Sequence, residues 1–305
     1  MKVAVIGARR NNNGIGEYIS KYFHANGFEI CCVLGNSEAT SKKASANLKR
    51  YGIEASPYTV FESMVAEQQP DVLVIASPIH THYGYIRKGM DAGMHIFCDK
   101  PFIPPDTHNI SRILDDIFDK ATKNRLVIAM NSQWPFSIPF YERLCHDILL
   151  EQVETFFMRL SPLSSGREMI PDSVPHALSV LYSAVGQGQI TGINIEQQVG
   201  SMDISFDYGF IGRNTKVLIS LDRHETQPRP FSYGFNGLIA QRRIDTASYT
   251  QHFCRGDKTI TIKDPLEASV QDFINAISQR HEPCIGMVHI KKTAMMLKHI
   301  YDACS

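Results

Sequence analysis

The stretch Lys2-Val-Ala-Val-Ile-Gly7, followed by Gly14-Ile15-Gly16, decides the fold of the N-terminal half. The apolar residues before Gly7 predict a buried strand, and Gly14 and Gly16 predict a helix start. Such a turn lets backbone N–H groups approach a pyrophosphate, to which the helix N-terminus adds partial positive charge. Gly7 and Gly16 are nine positions apart, against five in the familiar G-x-G-x-x-G. The enlarged loop contains Arg9 and Arg10. The alternative to nucleotide binding is an ordinary strand-to-helix turn that contains glycine and binds no ligand.

Strand-length apolar runs alternate with amphipathic stretches as far as Met130. The predicted strands are residues 2–6, 29–34, 71–76, 95–98 and 126–130, and the predicted helices are residues 15–25, 37–50, 60–67, 83–92 and 107–123. Strands connected by helices form a parallel sheet that is covered on both faces. The sequence therefore predicts a doubly wound α/β domain of the Rossmann type over residues 1–130.

The pattern changes after Met130 to a long run of strands. Strands are predicted at residues 153–160, 190–198, 201–211, 215–221, 230–235, 247–253 and 259–262, and helices at 139–149, 174–185, 266–279 and 288–303. Successive strands with little helix between them favour an antiparallel sheet. We predict a second α+β domain over residues 131–305, with a large, mostly antiparallel open sheet. Its C-terminal helix can pack back on the first domain.

The composition excludes several function classes. The 31 Lys and Arg residues balance the 31 Asp and Glu residues, so no long-range field steers the chain onto nucleic acid or a membrane surface. No apolar run approaches the roughly 18 residues of a membrane span, and Met1-Lys2 leads directly into a strand without room for a signal peptide. Seven cysteines without zinc spacing are typical of reduced thiols. We expect a soluble, cytoplasmic protein that binds a small molecule.

The end of the second predicted strand indicates the cofactor preference. Dinucleotide folds that bind NAD place an acidic side chain there to accept from the ribose 2′-OH, whereas this chain has Gly35-Asn36-Ser37. A 2′-phosphate meets no repulsion at Asn36 and Ser37, and Lys42 with the loop arginines Arg9 and Arg10 can donate to it. We predict that NADP(H) is preferred and that NAD(H) is possible. A solvated helix face is the alternative role of Lys42.

Three further segments carry a family resemblance. They are Asp71-Val-Leu-Val-Ile-Ala-Ser-Pro78, His80-Thr-His82 and Gly93-Met-His-Ile-Phe-Cys-Asp-Lys-Pro101. They resemble the glucose-fructose oxidoreductase, inositol dehydrogenase and rhizopine catabolism (Gfo/Idh/MocA) family of NAD(P)-dependent oxidoreductases. In that family a strand ends in a proline-containing turn, Thr-His begins the next helix, and a later strand ends in Glu-Lys-Pro, here Asp-Lys-Pro. Asp172-Ser-Val-Pro-His176 is similar to the family's D-x-x-x-H.

The resemblance implies hydride transfer between nicotinamide and a hydroxyl or carbonyl carbon of a sugar, cyclitol or related small molecule. It implies a catalytic role for Lys100, often with a cis peptide before Pro101. Lys100 follows a parallel strand at the sheet edge where doubly wound folds bind ligands. Ser77, Pro78 and His82, together with Lys100 and Pro101, are expected to line the cofactor crevice. His80 and His82 have no third ligand at a convincing spacing, so no metal site is expected.

Asp172 and His176 are four residues apart and would lie on one face of a helix. Because proline is tolerated in a first helical turn, Pro175 predicts a helix start within residues 171–174, with both groups at its positive end. A neutral His176 could exchange a proton with the substrate hydroxyl, and Asp172 would orient the substrate or the imidazole. An N-cap role for Asp172 and a packing role for His176 are the alternatives.

Gln133, Trp134 and Arg167 are the predicted substrate-binding residues. The family has an arginine in the segment that here reads Asn131-Ser-Gln-Trp-Pro-Phe136, so a different substrate is expected. The alternative to substrate binding is core packing for Trp134 and a solvent-exposed position for Arg167. Relatives pair through the open sheet face, which implies a homodimer or homotetramer. Reduction of a C=N or C=C bond, and an NADP-sensing protein without catalysis, are the competing functions.

Overall fold

The computed structural model describes residues 1–8, 14–146, 148, 150–210 and 212–304. Contacts between Cα atoms divide the chain into two units. The first contains Met1–Asn131 and Leu266–Ile290, and the second contains Ser132–Pro265 and Lys291–Ser305. Residues 266–290 therefore belong to the first unit, whereas the sequence predicts them in the second domain. Arg9 and Arg10 lie outside the described residues.

The first unit contains a parallel sheet in the order β3-β2-β1-β4-β5-β6. Its strands are β1 (Lys2–Ile6), β2 (Glu29–Leu34), β3 (Ser56–Tyr58), β4 (Val72–Ile75), β5 (His95–Asp99) and β6 (Ile128–Asn131). Its helices are α1 (Ile15–Ala25), α2 (Glu38–Leu48), α3 (Phe61–Gln68), α4 (His82–Asp91), α5 (Ile110–Lys123) and α8 (Pro265–Gln279). This strand order is the doubly wound arrangement that the sequence predicts.

The core of the first unit explains why α8 belongs to it. Phe23 of α1, Phe97 of β5 and Phe273 of α8 are fully buried, and their ring centroids lie 5.2 to 6.0 Å apart. Edge-to-face and tilted aromatic pairs at these distances add to the free energy of burial. Helix α8 thus supplies one of the aromatic side chains that cover the parallel sheet, although it lies more than 130 residues after β6.

The second unit contains a sheet in the order β14-β13-β12-β11-β7-β10-β9-β8. Its strands are β7 (Thr155–Leu160), β8 (Gln189–Gln198), β9 (Ser201–Phe210), β10 (Arg213–Asp222), β11 (Ser232–Phe235), β12 (Leu238–Ile244), β13 (Gln251–Arg255) and β14 (Lys258–Ile262). Neighbours are antiparallel except for β7 and β10. The helices are α6 (Ile138–Leu144) and α7 (Met169–Val185), and α9 spans Met287–Ala303. The predicted fold class is confirmed.

Two strands escape prediction from the sequence. β3 is three residues long and contains Pro57. A proline is tolerated there because the strand lies at the edge of the sheet. β12 contains Gln241, Arg242 and Arg243, whose polar side chains hide the alternation of its buried face.

Among the described residues, no helix is long and apolar enough to cross a membrane.

Candidate active site

The turn after β1 requires glycine at Gly7 and favours it at Gly16. Gly7 has φ +87°, and a Cβ atom there would lie 2.4 Å from the Ala76 carbonyl oxygen. A Cβ at Gly16 would lie 3.1 Å from the Ala8 Cα. Helix α1 starts after Gly14, which has no side chain to cap it, so first-turn N–H groups are available to a ligand. Gly7 and the start of α1, on either side of residues 9–13, therefore suit a pyrophosphate site.

The segment after β2 has no carboxylate before Glu38. Asn36 and Ser37 are exposed, and Ser37 caps α2 in a capping box with Thr40. Thr40 Oγ1 also donates to Asn36 Oδ1 at 2.9 Å, which fixes the amide at the end of the strand. Lys42 forms an exposed ion pair with Glu38 at 2.8 Å, so its predicted donation to a 2′-phosphate requires this pair to open.

His82 connects the loops that follow β4 and β5. Its Nε2 lies 2.8 Å from the Ser77 carbonyl oxygen and its Nδ1 lies 2.9 Å from the Pro101 carbonyl oxygen. The side chain is buried, and burial lowers the pKa of His82 against the opposing effect of the two carbonyl contacts. The Lys100–Pro101 peptide is cis, as the resemblance implies, and Pro78 precedes the 3-10 turn that leads into α4.

The carboxyl edge of β5 and β6 contains a polar side chain, Asn131, that is not among the predicted site residues. Asn131 Nδ2 donates to Asp99 Oδ1 at 3.0 Å, and Lys100 follows half-buried. Asn131 Oδ1 is buried and has no hydrogen-bond partner among the described residues. A buried amide oxygen of this kind needs an N–H donor, which a bound carboxamide can provide. The residues at this edge thus fit a nicotinamide group.

Helix α7 places the two other predicted catalytic residues. The predicted start within residues 171–174 is wrong, because the helix begins at Met169 and Pro175 lies inside it. Met169 and Ile170 are fully buried, so core packing fixes the first turn ahead of the proline. Asp172 remains in that first turn, whereas His176 lies about two turns into the helix and is not at its positive end.

A buried serine determines the environment of His176. Ser132 Oγ lies 3.3 Å from His176 Nδ1 and 3.4 Å from the Pro175 carbonyl oxygen. Because a carbonyl only accepts, the serine proton is assigned to Pro175, and His176 Nδ1 then donates to Ser132 Oγ. This arrangement leaves Nε2 of a neutral His176 as a proton acceptor. Asp172 Oδ2 accepts from Ser164 Oγ at 2.9 Å. Neither Ser132 nor Ser164 could be identified as a site residue from the sequence.

The predicted substrate-binding residues lie in different surroundings. Gln133 is half-buried directly after Ser132. Trp134 is buried and stacks on Phe231 with a centroid distance of 3.6 Å. Arg167 is exposed, donates to the Tyr301 carbonyl oxygen at 2.8 Å and lies over the Tyr301 ring. Packing interactions therefore occupy Trp134 and Arg167, and substrate contact by these residues stays a prediction.

Comparisons with known proteins connect this geometry to a family. Residues 1–130 match a model described as "Oxidoreductase family, NAD-binding Rossmann fold". A D-glucoside 3-dehydrogenase of Escherichia coli is 28% identical over 138 residues, which cover 45% of this chain and 36% of that protein. The chain thus matches about a third of the length of this curated relative.

Two solved structures share the fold over nearly the whole chain. A UDP-N-acetylglucosamine 3-dehydrogenase from Acidithiobacillus ferrooxidans has a TM-score of 0.72 at 17% identity and covers 99% of this chain and 97% of its own. A 3-ketoreductase from Actinomadura kijaniata, solved in complex with NADP, has a TM-score of 0.72 at 14% identity, with 99% and 97% covered. Over its first 130 residues the chain matches the model of the Gfo/Idh/MocA oxidoreductase family, which has an NAD-binding Rossmann fold.

Proposed function

We propose that this protein is a nicotinamide-dependent oxidoreductase that transfers hydride to or from a hydroxyl or carbonyl carbon of a sugar, cyclitol or related small molecule. The contact between Ser132 and His176 carries this proposal, because with the ring proton on Nδ1 the Nε2 atom of this half-buried imidazole is the basic nitrogen. A carbonyl reduction or alcohol oxidation needs one such group to move a proton at the substrate oxygen. The glucoside dehydrogenase among the relatives supports a sugar-like substrate.

The glycine turn and the edge residues would hold NADP(H), with NAD(H) as the second choice. The first-turn N–H groups after Gly14 would bind the pyrophosphate, and Asn36 and Ser37 would donate to a 2′-phosphate. Asn131 Oδ1 would accept from the carboxamide. The bound cofactor supplies or accepts the hydride, and the chain supplies orientation and the path of the proton.

Each proposed catalytic residue has a separate task. Lys100 would donate to the substrate oxygen, where its positive charge stabilises developing negative charge. His176 Nε2 would accept the proton of a substrate hydroxyl during oxidation and return it during reduction. Asp172, held by Ser164, would accept from a neighbouring substrate hydroxyl and so orient the ring.

The test combines cofactor titration with substrate turnover. NADPH and NADH would be titrated by nicotinamide fluorescence, followed by a panel of sugars, sugar acids, cyclitols and imines. Lys100→Met should retain cofactor binding and lose on the order of 10²-fold or more in turnover, as expected for a lost charge-assisted donor. Lys123→Met, on the exposed end of α5, is the matched control. Unchanged turnover in Lys100→Met would remove the assignment, turnover of imines alone would favour the C=N reductase, and tight binding without turnover would favour a sensor.

We also propose that the open face of the second sheet forms a homodimer or homotetramer interface. Leu218, Phe157, Gly234 and Ile239 are successive neighbours across four strands. Leu218 and Ile239 are 39% and 37% exposed, although both are large apolar side chains. An apolar row of this kind on a sheet face favours association with a second copy. Light scattering at micromolar concentration tests the assembly, and a monomeric mass would contradict it.

A further inference from the structure

Arg242 lies in an aromatic environment on β12. It shares its strand face with Ala240, which is fully buried, while the next residue, Arg243, is exposed on the opposite face. The guanidinium carbon of Arg242 lies 5.1 Å from the ring centroid of Trp134 and 5.3 Å from that of Phe231. The two rings stack on each other. Cation–π contacts with both rings therefore hold this guanidinium in place.

Arg242 is a cation without a direct carboxylate partner in the part of the second unit that the structure describes. Among the described residues no carboxylate forms an ion pair with it, and its side-chain hydrogen bond goes to the Arg229 carbonyl oxygen at 2.9 Å. Burial lowers the pKa of Arg242 to about 10, with Tyr249 and Asp264 favouring the charge and Arg229 opposing it. The group stays cationic at neutral pH. A half-buried cation is stabilised when an anion satisfies its remaining N–H donors.

Arg242 also lies next to the segment that contacts the proposed proton acceptor. Trp134, against which Arg242 packs, is two residues after Ser132, whose Oγ lies 3.3 Å from His176 Nδ1. Two residues of chain span at most about 7 Å. Trp134, one of the two rings that contact Arg242, and the serine that contacts His176 therefore belong to one short segment of the second unit.

We propose that Arg242 binds an anionic group of the substrate, so that the substrate is a sugar acid or a sugar phosphate rather than a neutral polyol. This inference rests on the proposed function and adds the substrate class to it. The planar guanidinium matches carboxylate and phosphate oxygens with two parallel hydrogen bonds. The Trp134 and Phe231 rings fix the plane of the guanidinium in advance, which reduces the entropy lost on binding.

The test compares anion binding in three variants of the full chain. Arg242→Gln removes the charge, Arg242→Lys keeps the charge without the planar group, and Arg243→Gln is the matched control on the exposed face. Isothermal titration calorimetry would use D-glucuronate, D-glucose 6-phosphate and inorganic phosphate, with D-glucose as the neutral reference. The wild type and Arg243→Gln should bind at least one anion more tightly than D-glucose. Arg242→Gln should weaken that binding by roughly 10- to 100-fold, and Arg242→Lys should lie between them.

The outcomes separate this inference from the proposed function. Equal anion binding by Arg242→Gln and Arg243→Gln, or no anion binding by the wild type, would overturn the inference. If Arg242→Gln does not fold, the Arg242→Lys variant tests the inference instead. Anion binding by Arg242→Lys as tight as that of the wild type would exclude bidentate recognition by the guanidinium and overturn the inference. If the wild type and the Arg242 variants turn over neutral sugars equally well, the proposed oxidoreductase function is retained and the anion subsite is excluded. Arg242-dependent anion binding without NADPH or NADH binding would retain the subsite and remove the oxidoreductase.

Discussion

Replacing Ser132 with alanine tests how the proton acceptor is oriented. The Ser132 hydroxyl lies 3.3 Å from His176 Nδ1 and 3.4 Å from the Pro175 carbonyl oxygen, distances at the long end for hydrogen bonds between neutral groups. A typical bond of this class contributes about 0.5 to 1.5 kcal/mol. Ser132→Ala should therefore reduce kcat/KM by roughly 2- to 12-fold. His176→Asn, which removes the acceptor itself, should cost about 10² to 10⁴.

The readout must distinguish orientation from a general loss of stability. Nitrogen-15 NMR of the histidine rings should show the proton of neutral His176 on Nδ1 in the wild type and a mixture of tautomers in Ser132→Ala. Ser137→Ala is the matched control, since Ser137 is also buried and its Oγ donates to the Trp134 carbonyl oxygen at 2.7 Å. It should lower the melting temperature and leave the His176 tautomer unchanged. A wild-type proton on Nε2, or equal effects of both variants on kcat/KM, would refute the reasoning.

Four further predictions test the fold, the cofactor, the pH response and the assembly. Gly7→Ala should destabilise the protein by roughly 3 kcal/mol or more in urea unfolding, because the positive φ and the clash with the β4 loop act together; wild-type stability would contradict the geometry. Asn36→Asp should lower the ratio of NADPH to NADH affinity by about 10- to 100-fold in fluorescence titrations, since a carboxylate repels the 2′-phosphate. An unchanged ratio would show that position 36 does not contact the 2′-phosphate. Burial lowers the pKa of His289 from 6.5 to about 4, so the unfolded state takes up the proton first and stability falls as the pH drops from 6.5 to 4. The loss of about 3 kcal/mol should be absent in His289→Gln, and an identical pH profile would argue against it. Leu218→Glu should convert the assembly to monomers in light scattering, because a charge on the apolar row opposes its burial; an unchanged mass would place the interface elsewhere.

The fold could be predicted from the sequence because its determinants are local. Five apolar runs in the first half are long enough for buried strands and are separated by helix-length amphipathic stretches, which leaves a parallel sheet as the simplest arrangement. Lys100 could be selected because it directly follows one of these strands. The strand β12 could not be predicted, because its buried face carries Arg242 between Ala240 and Ile244 and so lacks a continuous apolar pattern.

The sequence by itself determined the two kinds of sheet, the glycine turn and the lack of a carboxylate at the end of β2, because each depends on neighbouring residues. Tertiary structure decided which distant groups meet. It brought Ser132 to His176 across 44 positions, Asn131 to Asp99 across 32, and Phe273 into the core of the first unit. It also started α7 at Met169, because burial of Met169 and Ile170 outweighs the local effect of Pro175. Local patterns fix backbone preference, whereas the environment of each polar side chain depends on contacts that only the folded chain creates.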